Sequence, residues 1–170
     1  MKMTSQLVIR KADSADSPIL TEISFSAKRY WNYPEEYYSI WKDELTITED
    51  YIKYNTVFKA LVNNQIVGFY SIVKNPRDQS FGKVFMKAGY WMDHIFIRPE
   101  YINRGIGSKL IEHLKGYCKD NGIVKLTIFV DPNAIGFYEK VGASFKYMSE
   151  SNIENRQIPV FEFDFSSDGV

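Results

Sequence analysis

The fold is decided by the stretch Asp93-His-Ile-Phe-Ile-Arg-Pro-Glu-Tyr-Ile-Asn-Arg-Gly-Ile-Gly-Ser-Lys-Leu110. Its first part is apolar and β-branched, which is typical of a strand, and Arg98-Pro99 ends that strand. Gly105 and Gly107 then lead into an apolar pattern with helical spacing. A strand that turns through glycines into a helix presents unpaired backbone N–H groups at the helix N-terminus. The stretch therefore predicts an anion site, most simply a phosphate site.

The composition is that of one globular domain, without a segment enriched in positive or negative charge. The chain has 170 residues, with 21 Lys plus Arg against 21 Asp plus Glu, and neither sign gathers in one segment. We therefore expect a single domain covering residues 1–170, a small-molecule partner, and no binding to nucleic acid or membranes. No apolar run approaches the ~18 residues of a membrane span, and the N-terminus lacks the apolar core of a signal peptide, so a cytoplasmic protein is expected.

Hydrophobic periodicity predicts alternating strands and helices. A strand that follows a helix in this way implies a parallel β-α-β unit, here made by 88–97, 104–120 and 123–130. The segment Asn75–Gly82 is expected to be an exposed loop. The other predicted strands are 6–12, 55–62, 65–73, 143–149 and 157–165, and the other predicted helices are 18–29, 34–43 and 133–141, with a short helical turn after Thr48.

Three local features carry structural predictions of their own. Asn63-Asn64 is expected to form a tight hairpin turn, because Asn tolerates positive φ. Gly68, inside a strand pattern, suggests a bulge or a close approach of another backbone segment. Cys118 falls on the apolar face of its helix, so we interpret it as a small core residue and not as a nucleophile.

Two well-known phosphate loops do not fit the glycines. A P-loop requires Gly-x-x-x-x-Gly-Lys-Ser/Thr, but Ile102 stands where the first Gly belongs and Ser108 stands where the Lys belongs. A dinucleotide fingerprint requires a third Gly where Leu110 stands, and it belongs early in a β-α-β chain rather than after several hairpin strands.

The loop instead resembles the pyrophosphate loop of the GNAT superfamily of N-acetyltransferases, Gln/Arg-x-x-Gly-x-Gly/Ala. Gly105 and Gly107 match the two small positions, whereas Ile102 stands where Gln or Arg is usual. A second motif, Asp131-Pro-Asn-Ala-Ile-Gly-Phe-Tyr-Glu-Lys-Val-Gly-Ala143, is similar to the segment that follows the family's fifth strand. Two motifs in the correct order and at the correct separation make the resemblance specific.

The resemblance implies an α/β (α+β) fold with a mixed, mostly antiparallel sheet of about seven strands, a central parallel β-α-β unit and about four helices. It implies acetyl-CoA as co-substrate and no metal. The pantetheine arm is expected along the backbone of the strand that ends at Ile97, and the pyrophosphate at the following loop. The residues expected to bind the cofactor are Ile95, Phe96, Ile97, Asn103, Arg104, Gly105, Ile106, Gly107, Ser108, Asn133, Phe137 and Tyr138.

The resemblance also implies a direct attack of a neutral amine on the thioester. Tyr138 stands where the family places the acid that protonates the leaving thiolate, with ring packing as the structural alternative. Asp93 is the first candidate for the general base and His94 the second. A solvated Asp and a buried, hydrogen-bonded His remain the alternatives.

The acceptor is not identified by the sequence. The resemblance implies a primary amine on a small molecule or a peptide, and it allows a homodimer. The aromatic residues between Tyr30 and Trp41 could pack in the core or wall an acceptor pocket, and Lys28 and Arg156 could contact an anionic acceptor or be exposed charges. A non-catalytic acyl-CoA-binding regulatory module is the alternative function, which an amine panel would distinguish from the enzyme.

Overall fold

The computed structural model describes residues 6–166. These residues form two compact units, 6–71 with 94–113 and 72–93 with 114–166. The strands are β1 (Leu7–Lys11), β2 (Thr56–Val62), β3 (Gln65–Asn75), β4 (Gln79–Phe81), β5 (Val84–Met86), β6 (Gly89–Ile97), β7 (Lys125–Phe129), β8 (Ser144–Glu150) and β9 (Gln157–Asp164). The helices are α1 (Ser17–Arg29), α2 (Glu35–Leu45), α3 (Glu49–Tyr54), α4 (Ile106–Asp120) and α5 (Ile135–Lys140), with 3-10 turns at Ser14–Asp16, Pro99–Tyr101 and Pro132–Ala134.

The larger sheet confirms the predicted fold class. Its seven strands have the order β1-β2-β3-β6-β7-β9-β8. The β6–β7 pair is parallel, whereas the registered pairs β1–β2, β7–β9 and β8–β9 are antiparallel. The described residues contain five α-helices where about four were expected, because the turn after Thr48 is a full short helix. Thr48 caps that helix by accepting a hydrogen bond from the Tyr51 N–H.

The first unit is built around apolar side chains from α1, α3, β2 and β3. The hairpin between β2 and β3 turns at Asn63 and Asn64, both with positive φ as predicted. Gly68 confirms the expected close approach, since a Cβ there would lie 2.8 Å from the backbone oxygen of Phe96. The buried core cluster consists of Leu20, Ile23, Ile47, Ile52, Val57, Leu61, Ile66 and Phe69.

The second unit contains the parallel pair and the C-terminal strands. Buried Trp91 stacks on Phe129 with ring centroids 4.6 Å apart. Cys118 is fully buried, which confirms its assignment to the core, and burial raises the pKa of its thiol to about 12. A thiol with this pKa is protonated at neutral pH and is a poor nucleophile.

The prediction of an exposed loop over Asn75–Gly82 was wrong. Residues 79–86 form a small antiparallel sheet of β4 and β5, which turns at Gly82 with a φ of +64°. Asn75 is buried and its amide donates to the backbone oxygens of Met86 and Lys87. Strands of three residues are too short to show the alternation from which a strand is predicted.

Candidate functional site

The loop after β6 has the geometry expected of an anion site. Ile102 donates its N–H to the Pro99 oxygen, and the chain then passes through Asn103 and Gly105, with φ values of 64° and 80°. The Lys109 N–H donates to the Gly105 oxygen at 3.1 Å, which starts the hydrogen bonding of α4. The N–H groups of the three residues before Lys109 therefore have no carbonyl within the helix to bond. The predicted strand, turn and helix are confirmed.

Two residue types make this turn possible. Asn is the residue other than Gly that most readily adopts positive φ, which explains Asn103. At Gly105 a Cβ would meet no atom within 4 Å, so the restriction there is the backbone conformation and not the space. Gly107, in contrast, lies in the first turn of α4, where glycine is not required by the helix.

Arg104 is the cation of the loop. It is exposed, and its guanidinium carbon lies 5.0 Å from the centre of the Tyr101 ring. A contact of this kind restricts the guanidinium without using its hydrogen-bond donors on another side chain. Ile102, at the position where the family usually has Gln or Arg, is half-buried.

The end of β6 directs alternate backbone groups to opposite edges of the strand. The Arg98 N–H donates to the Val67 oxygen on β3 at 2.8 Å. Because backbone polar groups alternate along a strand, those of Phe96 also point to β3, whereas those of Ile95 and Ile97 point to the opposite edge. The close approach of the Phe96 oxygen to Gly68 agrees with this assignment. The backbone groups of Ile95 and Ile97 are thus better placed than those of Phe96 for contacts with pantetheine, and the assignment of all three residues to the cofactor stays a prediction.

The two candidate bases differ in environment. Asp93 is exposed, whereas His94 is 4% exposed and has both ring nitrogens in hydrogen bonds. His94 Nε2 lies 2.8 Å from the backbone carbonyl oxygen of Glu44. His94 Nδ1 lies 2.9 Å from Ser71 Oγ and 3.1 Å from the Tyr51 hydroxyl oxygen. The alternative of a buried, hydrogen-bonded His is therefore what the structure contains, and neither residue is established as the base.

Tyr51 and Ser71 were missed by the sequence analysis. Ser71 did carry a weak signal, because it is a small polar residue within the mostly apolar run from Ile66 to Val73. Tyr51 carried none, because it is one of twelve tyrosines and its contact with His94 spans 43 residues of sequence.

Tyr138 lies in the second unit, on α5. Its side chain is 5% exposed and packs edge-to-face against Phe137, with ring centroids 5.3 Å apart. Burial raises the pKa of the Tyr138 phenol, and the negative charge of Asp131 raises it further. The phenol therefore keeps its proton throughout the usual pH range.

The other predicted residue of this segment, Asn133, stabilises the local turn. Asp131 Oδ1 accepts hydrogen bonds from the backbone N–H of Asn133 at 2.9 Å and from its side-chain amide at 3.1 Å. Side-chain bonding of this kind is typical of the residue that caps a helical turn. The assignment of Asn133 to the cofactor stays a prediction.

The aromatic stretch before β2 forms a cluster, and two of its rings lie against a lysine amine. The Lys28 ammonium lies 4.3 Å from the centre of the Trp41 ring and 5.5 Å from that of Tyr33. Tyr33 and Tyr37 meet Trp41 edge-to-face, at 5.1 Å and 5.4 Å. The core-packing interpretation holds for Trp41, which is 7% exposed. A role for Lys28 or Arg156 with an anionic acceptor stays a hypothesis.

Comparisons with known proteins identify the family. A sequence profile described as "Acetyltransferase (GNAT) family" matches residues 20–143. The chain belongs to the GNAT family of acetyltransferases. This confirms the resemblance and the prediction of an acetyltransferase enzyme.

Relatives and solved structures agree with this assignment. The chain is 31% identical over 127 residues to the peptidyl-lysine N-acetyltransferase YjaB of Escherichia coli (strain K12), an alignment that covers 71% of this chain and 81% of YjaB. The PaiA N-acetyltransferase from Thermoplasma acidophilum, solved in complex with coenzyme A, has a TM-score of 0.70 at 18% identity, covering 94% of this chain and 99% of that one. A GNAT-family acetyltransferase from Staphylococcus aureus Mu50 has a TM-score of 0.67 at 16% identity, covering 95% and 100%. At these identities the two structures support the GNAT fold.

Residues 6–166 contain neither a metal-ligand cluster nor a membrane-spanning helix. No group of three or more His, Cys, Asp or Glu side chains in this range is arranged to hold a metal ion. Within the same range, no helix combines the length and the hydropathy that crossing a membrane requires.

Proposed function

We propose that this GNAT protein transfers the acetyl group of acetyl-CoA to a primary amine, with residues 1–170 working as one acetyltransferase domain. The observation that carries the proposal is the loop between β6 and α4, where three helix N-terminal N–H groups follow two residues of positive φ. This arrangement suits a pyrophosphate, because the groups are fixed in direction and carry the positive end of the helix dipole.

The cofactor would extend from this loop back along β6. The registered pairing of β6 with β7 spans Tyr90–Met92, while β6 itself continues to Ile97. The backbone groups of Ile95 and Ile97 point away from β3 and could pair with the amides of pantetheine, as an added strand would. Acetyl-CoA supplies an activated acyl group when it is bound.

The chain's own residues would handle two protons. The attacking amine must lose one, since a primary amine with a pKa near ~10.4 is largely protonated at neutral pH. Asp93 and His94 are the proposed bases. Tyr138 is proposed to donate to the sulfur as the C–S bond breaks and the C–N bond forms, because it stands where the family carries its acid and it keeps its proton.

The proposed acceptor is a lysine-like primary amine of a peptide or of a small molecule. The support is the name of YjaB, a peptidyl-lysine N-acetyltransferase, of which this chain covers 81%. A homodimer is compatible with the proposal, and the proposal does not depend on it.

Thiol release from acetyl-CoA across a panel of amines and lysine peptides tests the function. We expect release that depends on both substrates and saturates with at least one lysine-like amine. Mass spectrometry should find one added acetyl group on that amine. Tight CoA binding without turnover on any amine of the panel would contradict the enzyme and support a non-catalytic acyl-CoA-binding module.

Arg104→Ala is expected to weaken CoA binding by about 1.5–3 kcal/mol, the usual range for a hydrogen bond to a charged group. The reason is that Ile102 supplies no polar side chain, whereas Arg104 is a cationic side chain within the loop itself. Isothermal titration calorimetry with CoA measures the effect. Arg10→Ala is the matched control, because Arg10 is an exposed arginine on β1 and its loss changes the net charge equally. Equal affinities for the two variants would mean that backbone groups alone hold the pyrophosphate.

A further inference from the structure

Three polar side chains form a closed hydrogen-bonded triad inside the first unit. The Tyr51 hydroxyl lies 2.9 Å from Ser71 Oγ and 3.1 Å from His94 Nδ1, and Ser71 Oγ lies 2.9 Å from the same Nδ1. Ser71 is fully buried and His94 is 4% exposed, whereas Tyr51 is half-buried. Tyr51 is therefore the most solvent-exposed member of the triad.

The backbone of α2 sets the tautomer of the histidine. His94 Nε2 lies 2.8 Å from the Glu44 carbonyl oxygen, and because a carbonyl can only accept, Nε2 must carry the hydrogen. In the neutral imidazole, Nδ1 then holds the lone pair and accepts from a hydroxyl. Tyr51 donates to Ser71 in this geometry, and Ser71 donates to Nδ1. The two hydrogen bonds therefore run in one direction, from the Tyr51 hydroxyl through the Ser71 hydroxyl to His94 Nδ1.

We propose that this triad is a proton relay, in which Tyr51 receives the proton of the acceptor amine and His94 Nδ1 stores it. The proposal rests on the proposed acetyl transfer, because a relay requires an amine to deprotonate. Direct contact between His94 and an amine would require one of its two nitrogens to break an existing hydrogen bond. A hydroxyl that donates its proton can accept another at the same oxygen, which is what a relay needs. Ser71 and His94 act through Tyr51.

The proton and electron balance of the step is complete without another reactant. The amine lone pair forms the C–N bond, and the C–S bond breaks with its pair on sulfur. The amine proton passes to the Tyr51 oxygen as the Tyr51 proton passes to Ser71 and the Ser71 proton to Nδ1. The resulting imidazolium keeps Nε2–H on the Glu44 oxygen and donates Nδ1–H to Ser71. The thiolate leaves in a hydrogen bond from the Tyr138 hydroxyl and takes its proton from solvent, and solvent accepts the proton held by His94.

Groups from α2, α3, β3 and β6 surround the His94 ring. These groups include the Glu44 backbone oxygen from α2, the Tyr51 hydroxyl and ring from α3, Ser71 and the Phe69 ring from β3, and the Phe96 ring on β6. Of these, Tyr51 is the titratable side chain. The acid limb of a pH profile should therefore depend on His94 and on the hydroxyls that connect it.

The test compares Tyr51→Phe and Ser71→Ala with the control Tyr54→Phe. Tyr54 lies on the same helix and is 73% exposed, so its hydroxyl can be removed without touching the triad. For each variant, kcat and kcat/KM are measured from pH 5.5 to 9.5 with the amine that the panel identifies, together with CoA affinity by calorimetry and thermal unfolding. We expect Tyr51→Phe and Ser71→Ala to lower kcat by about 100-fold, the usual contribution of acid–base catalysis, and to shift or remove the acid limb.

The readouts separate the relay from the acetyl transfer itself. A structural role for the triad would lower the unfolding temperature of the variants and leave the pH profile of the folded fraction unchanged, and that result would overturn the relay. A lost acid limb in His94→Gln with a normal profile in Tyr51→Phe would also overturn it, since His94 would then act directly. If the unmodified chain transferred acetyl to no amine, the proposed function would fail, and the relay with it.

Discussion

Tyr138→Phe is expected to lower kcat for acetyl transfer by about 100-fold or more, within the usual contribution of general acid catalysis, while CoA affinity changes little. The substitution removes only the hydroxyl and keeps the ring against Phe137, so the packing of α5 is retained. Single-turnover measurement of thiol release, with CoA affinity determined by calorimetry, distinguishes the chemical step from binding.

The raised pKa of Tyr138 determines whether its hydroxyl transfers its proton to the sulfur or only donates a hydrogen bond to it. A free thiol has a pKa of about 8.5, so a buried phenol is a weaker acid than the thiol that leaves. Complete proton transfer before the C–S bond breaks would therefore be uphill. The hydroxyl instead stabilises the developing charge on sulfur as a hydrogen-bond donor. Because the raised pKa keeps the phenol protonated, Tyr138 should cause no loss of kcat up to about pH 10, the ordinary pKa of a tyrosine.

Tyr147→Phe is the matched control for this experiment. The Tyr147 hydroxyl is buried and has no hydrogen-bond partner among residues 6–166, and burial raises the pKa of this phenol as well. Its removal should leave kcat unchanged and should not lower stability, because no hydrogen bond is lost. If the two variants had the same kcat, Tyr138 would be a packing residue and the acid would have to be sought elsewhere.

The sequence predicted those parts of the molecule that short segments specify by themselves. The loop from Asn103 to Gly105 requires positive φ, and Asn and Gly are the residues that adopt it, so its conformation follows from the residue types. The parallel β6–β7 pair follows from the helix between the two strands, because a crossover is needed to join parallel neighbours. Both features can be recognised within one continuous segment of the chain, from Gly89 to Phe129.

The contacts of side chains distant in sequence could not be predicted in this way. The family resemblance made His94 a candidate base through its position on the strand, but its partners come from α3, β3 and the backbone of α2. No periodicity specifies which tyrosine of a chain with twelve will meet a given histidine. The small sheet of β4 and β5 was missed for a related reason. Buried Asn75 holds it through hydrogen bonds to the backbone oxygens of Met86 and Lys87. The sequence of β4 does not indicate these contacts.

Gly107→Ala should weaken CoA binding by about 100-fold while leaving the unliganded protein as stable as before or more stable by up to about 1 kcal/mol. The two effects have different causes. In the first turn of α4 an alanine is a better helix former than glycine, so the unliganded state should gain stability. A methyl group on the face that presents the N–H groups would hold the pyrophosphate away from them. Losing two hydrogen bonds to a charged group costs roughly 3 kcal/mol, which corresponds to a factor of about 100 in Kd.

The control for this prediction is Gly116→Ala in the same helix. Gly116 is exposed, and a Cβ there would meet no atom within 4 Å, so this variant should gain the same helix stability and bind CoA normally. Urea unfolding without ligand and calorimetry with CoA then give four values, of which only the Kd of Gly107→Ala should change strongly. An unchanged Kd for Gly107→Ala would place the pyrophosphate away from the α4 N-terminus. The loop would then be a structural turn, and the assignment of the cofactor site from Asn103 to Ser108 would have to be withdrawn.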